Sequence, residues 1–170
     1  MTKFFFSVLL LSAFFFTGCI KNDPVLVSDS KVEFDAATFN ANAAGLTYPV
    51  LTRVPIVGAS TPTSQPLITR TTTTPFTLRV NLVGAQRASA TDFTYIINSS
   101  STAIAGTHYT SLSGTGTIPA NSSFGFITIN IVNPGVSSPN PVILVLELTS
   151  NANFAANFNY AKVGISIAQL

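Results

Sequence analysis

The sequence predicts an all-β chain, an antiparallel sandwich of about seven strands. Three observations carry this. Apolar side chains alternate with Thr, Asn and Ser in repeated short runs, the period of a strand with one buried face. Charged residues make up only 8% of the chain against 46% apolar. A helix-rich protein would place Glu, Lys and Arg on its exposed faces, whereas Thr suits a pleated surface. Polar, turn-rich connections separate the runs, and no segment shows a helical period.

Residues 1–18 read MTKFFFSVLLLSAFFFTG. Lys3 is a basic start, and Phe4 to Phe16 is an apolar stretch of 13 residues broken only by two serines. A membrane-spanning helix needs about 20 apolar residues, so this stretch fits the core of a signal peptide instead. The string F-T-G-C at 16–19 resembles the lipobox of bacterial lipoprotein precursors. Gly18 and Cys19 match its last two positions, while Phe16 and Thr17 replace the usual Leu and Ala or Ser. The resemblance implies cleavage before Cys19 and acylation of its sulfur, with membrane lipid as the partner. Two or three acyl chains hold a protein firmly where one does not. Cys19 is the sole cysteine, so no internal disulfide is possible. In the following I-K-N-D-P, Lys21 and Asp23 resemble the surface-export signal of Bacteroidetes-type lipoproteins, with Asn22 as a departure. That resemblance implies an outer-membrane anchor and display on the surface of a Gram-negative cell.

Residues 19–30 read as a lipidated flexible tether, with Pro24 and the turn formers Ser28, Asp29 and Ser30. Residues 31–170 read as one sandwich domain. Val32 and Phe34 alternate with Lys31, Glu33 and Asp35. Leu46 to Val57 is apolar but holds Pro49 and Pro55, which points to an edge strand or a bulge. Residues 58–75 form a long polar loop. Phe76, Leu78, Val80 and Leu82 give the cleanest alternation, and Phe93 to Ile97 the next strand. Residues 98–123 hold turns and at most a short strand near Thr117–Ile118. Ile127, Ile129 and Ile131 face one way across a strand from Phe124 to Val132. Val142 to Leu148 is apolar on both faces, which predicts a central strand, and Val163, Ile165 and Ile167 give the last one.

Three strings bear a family likeness: S-S-T-A-I-A-G-T-H-Y-T at 100–110, T-I-P-A-N-S at 117–122 and F-I-T-I-N-I at 126–131. With L-R-V-N-L-V-G at 78–84 and L-V-L-E-L at 144–148, they resemble the Calx-beta-like, immunoglobulin-like domains of bacterial surface proteins. They resemble still more an uncharacterised family of Bacteroidetes lipoproteins with G-T-H-Y and I-P-A-G at these places. Gly106 suits a tight turn, Tyr109 a buried ring, and Pro119-Ala120-Asn121 a turn before a strand. Calcium-binding members of the Calx-beta group use several loop carboxylates. Here His108 stands where their motif has Asp, and residues 31–170 carry only Glu33, Asp35, Asp92 and Glu147. Calcium takes six to eight oxygens, so no metal site is expected.

The remaining chemistry is sparse. Arg53, Arg70, Arg79 and Arg87 are scattered and the net charge is +2, which excludes the dense basic footprint of a nucleic-acid binder. His108 is the only histidine, and no G-x-S-x-G elbow accompanies it. A carboxylate pair for glycoside hydrolysis could combine Glu147 with Asp92 or Asp35, but a lone acid near a strand end is usually solvated. Gly114-Thr115-Gly116 has no following Lys and reads as a turn. The expectation is a non-enzyme without cofactor. In the segment N-A-N-F-A-A-N-F-N-Y at 151–160, Phe154, Phe158 and Tyr160 either stack on sugar rings or cap the core before the last strand. The function expected is a binding or adhesion module for a glycan or another envelope protein, working through loops at one end of the sandwich. The alternatives are a structural envelope lipoprotein with no ligand, and a calcium-binding Calx-beta-type module.

Overall fold

The computed structural model describes residues 29–170. Cys19, the leader and most of the tether lie outside them. Nine strands build two packed sheets. One sheet holds β1 (Lys31–Phe34), β3 (Phe76–Val83), β6 (Phe124–Ile129) and β8 (Ala155–Ala156), in the order β6-β3-β1-β8. The other holds β2 (Val50–Leu51), β4 (Thr91–Ile97), β5 (Thr115–Ile118), β7 (Val142–Thr149) and β9 (Lys162–Ile167), in the order β2-β9-β7-β4-β5. The count exceeds the seven expected because β2 and β8 have two residues each, too few to show a period. Both pair in parallel, β8 with β1 and β2 with β9, while every other strand pair is antiparallel. Pro49 precedes the edge strand β2, as its missing donor requires.

Alternation places the core. Val32, Phe34, Phe76, Leu78, Val80, Phe93, Ile127, Ile129, Leu144, Leu146, Val163 and Ile165 are buried between the sheets. Phe93 fills the space that two glycines leave open. A Cβ on Gly116 would lie 2.3 Å from its ring, and one on Gly125 would lie 2.7 Å from it. β7 is central as expected, and Val145 is buried on its outer face. Gly164, its register partner on β9, leaves room there for Val50 and Tyr48, which would stand 3.0 and 3.4 Å from a Cβ at that position.

Two local expectations are corrected. The chain leaves the strand at Asp35 and makes one short helix, α1 (Asp35–Phe39), where no helix was expected; five residues cannot display a helical period. The turn also reverses the fate of Asp35. Instead of facing solvent with Lys31 and Glu33, it is 2% exposed. Its carboxylate accepts hydrogen bonds from Arg79 Nη2, Asn81 Nδ2 and the Gly58 backbone N–H, and such pairing is what permits a buried charge. β6 stops at Ile129 rather than Val132, and residues 108–110 take over the pairing through the Tyr109–Ile131 bridge. Gly106 makes the turn into this bridge at φ +79°. His108 Nδ1 accepts the Ile104 N–H within the same turn. The Tyr109 ring is buried, and the loss of water raises its phenol above the ordinary value of 10.0.

Candidate functional site

The segment between β7 and β9 crosses to the other sheet, where it forms β8, and returns; hydrogen bonds to β1 fix its path. Ala155 N–H donates to Ser30 O, and Asn157 N–H donates to Val32 O. Phe34 N–H in turn donates to Tyr160 O, 2.9 Å away. The Asn157 amide holds Glu33 Oε2 at 2.6 Å, and Tyr160 N–H closes a turn onto Asn157 O. Phe158 sits at the tip of that turn.

The fold divides the three aromatic residues singled out in the sequence. Phe154 is 2% exposed and belongs to the core, with the Arg87 guanidinium 4.3 Å from its ring centroid. It is therefore withdrawn from any ligand-facing set. Phe158 is 94% exposed and Tyr160 38% exposed. These two line a groove of about 470 Å³ together with Asn42, Thr47, Glu147, Asn159, Ala161 and Lys162. The adjacent pair Phe93 and Tyr95 packs in the core, with ring centroids 6.4 Å apart.

Glu147 and Lys162 form the polar centre of the groove. They are register partners on β7 and β9, and Lys162 Nζ lies 3.3 Å from Glu147 Oε1. The Asn98 amide donates to the other carboxylate oxygen. Glu147 is thus engaged with a cation and an amide rather than with a second acid. Asp35 is bound to Arg79, and Asp92 accepts from the Thr117 hydroxyl at 2.6 Å. Among the described residues no three His, Cys, Asp or Glu side chains converge as metal ligands would. Sequence reasoning reached Glu147 but missed Lys162, Asn42 and Thr47. Lys162 becomes visible only through the β7–β9 register, and Asn42 and Thr47 only through a loop folded against that corner.

The arrangement offers an exposed flat ring, a second aromatic beside it, neutral amides and a hydroxyl, and a mutually neutralised charge pair. It can stack and hydrogen-bond. The other sites weighed in the sequence have scaffold roles: His108 closes a turn, and Gly114 (φ +78°) accommodates one.

No protein-family profile matches the chain, and no curated protein matches it. Among solved structures it is similar to the apo form of the Calx CBD1 domain, with TM-score 0.51 and 13% identity over 82% of this chain and 97% of that one. The fold is Calx-beta-like. A second similar structure is the calcium binding domain CBD12 of CALX1.1, with TM-score 0.49 and 15% identity over 59% of this chain and 40% of that one. At 13% identity the likeness to the CBD1 domain speaks for the Calx-beta-like fold and not for a ligand.

Proposed function

We propose that this protein is a non-catalytic binding module, tethered to the outer membrane by lipid on Cys19, that recognises a glycan through the corner groove. The observation that carries the reading is Phe158. A phenylalanine 94% exposed at the tip of a turn anchored to β1 at both ends loses apolar burial without any internal return. A flat ligand face laid on that ring supplies the missing burial. The surrounding Asn42, Thr47 and Asn159 offer donors and acceptors without net charge, as suits a polyhydroxyl ligand. The leader string F-T-G-C supports the lipid anchor.

The test is a glycan array probed with the detergent-solubilised full chain and with Phe158→Ala. Binding by the wild type that the variant loses, with melting unchanged, supports the reading. Binding that survives the substitution moves the site elsewhere. The anchor is tested separately by intact mass of the membrane fraction, which should show residues 1–18 removed and acyl groups on Cys19.

A further inference from the structure

We infer that the Glu147–Lys162 pair is the reading head of the groove and that it selects an uncharged pyranose presenting two neighbouring hydroxyls. This rests on the glycan reading above and assigns it a ligand class. The two groups stand side by side on adjacent strands, with Nζ 3.3 Å from Oε1. Neither is exhausted by the other. An ammonium has three donors, and among the described residues only Glu147 takes one of them from Lys162. Glu147 Oε2 accepts from the Asn98 amide, and among the described residues Oε1 meets only Lys162. The side chains are 34% and 26% exposed, and both line the groove.

A strong donor and a strong acceptor therefore face the same space at hydrogen-bond separation. Two hydroxyls on adjacent ring carbons match this pattern. One accepts from Nζ, and its neighbour donates to Oε1. Both bonds are charge-assisted, roughly twice as strong as neutral ones. The Phe158 ring takes the C–H face of the same sugar, with Tyr160 beside it.

The pair also rejects. A uronate or sulfate would set an anion against the Glu147 carboxylate, and an amino sugar would set a cation against Lys162. The centre carries no net charge to offset either, so charged sugars are disfavoured against neutral ones. A cross-strand ion pair made only for stability would show none of this selectivity.

The experiment is calorimetric titration of the detergent-solubilised full chain with dextran and mannan as neutral polymers, and with polygalacturonate and dextran sulfate as anionic ones. Glu147→Gln, Lys162→Met, Phe158→Ala and the exchange variant Glu147→Lys/Lys162→Glu are compared, each with its melting curve. The expected result is binding of a neutral polymer only, weakened at least tenfold by either single substitution at unchanged melting and kept within a few-fold by the exchange. If Glu147→Gln and Lys162→Met leave neutral binding intact while Phe158→Ala removes it, the groove reading stands and the reading-head assignment is overturned. Preference for an anionic polymer overturns it in the same way. If the single variants unfold, the exchange variant decides, and a folded exchange variant without binding overturns the assignment. If no polymer binds, the assignment falls together with the glycan reading.

Discussion

Asn153-Phe154 and Asn157-Phe158 are the same dipeptide, four residues apart, with opposite fates. Phe154 is 2% exposed and Phe158 is 94% exposed. Composition and local hydropathy cannot separate them. Backbone anchoring does. Asn151 Oδ1 accepts the N–H groups of Asn153 and Phe154, and Asn151 N–H returns to Phe154 O. That closed loop aims the Phe154 ring inward, under Arg87. Asn157 is tied to β1 through Val32 and Glu33, and the turn it opens throws Phe158 outward. The lesson is that an aromatic residue near a sheet corner takes its environment from where the flanking amides are held, not from its own hydrophobicity.

This contrast can be broken by substitution, and the effects should fall in a definite order. Phe154→Ala should cost about 3–5 kcal/mol, the usual loss for a buried phenylalanine, read as a shift in the urea midpoint. A loss under about 1 kcal/mol would erase the distinction between the two rings. Asn151→Ala should cost about 1–2 kcal/mol, because it removes the acceptor for two N–H groups and a donor to Asp92 O. Its amide resonances should change at Phe154 and not at Phe158. Arg87→Ala should cost about 1 kcal/mol, through the stacked guanidinium and its bond to Asn153 O, with added salt making little difference to a contact shielded on one side by the ring. Phe158→Ala should leave stability within about 0.5 kcal/mol, as a surface substitution does, and should change only ligand binding. A marked destabilisation there would mean that the ring packs against something in solution, and the site would lose its platform.

The sequence made the long strands legible because their burial is one-sided. β3 and β6 show unbroken alternation, and β7 shows apolar residues on both faces, with Val145 buried on the outside beside Gly164 of β9. The pieces it hid are those too short for a period: β2, β8 and α1. Asp35 was misplaced for the same reason, since alternation assumes that a strand continues. The site was legible as a cluster of aromatics and asparagines at 151–160. Its division into core and surface was not, because that depends on hydrogen bonds to β1, more than a hundred residues earlier in the chain. Lys162 was hidden because cross-strand register is a property of two segments together.

The borders of the two sheets have a consequence for life at high concentration. A border strand is an open row of amides on which another chain can assemble, and many β proteins guard it with charge. This chain is only 8% charged and has little to spare. Geometry does the guarding instead. On one side each sheet ends in a strand of two residues, β2 or β8, too brief to template a partner. On the other, β5 and β6 turn toward each other through Asn121 at φ 56°, so closely that a Cβ on Gly125 would stand 2.8 Å from Thr117 O. Just past β6, residues 108–110 pair with residues 130–132, so that stretch of chain already has a partner. Among the described residues the longest border left to such assembly is β6, six residues long, so crowded copies find little backbone on which to pair edge to edge.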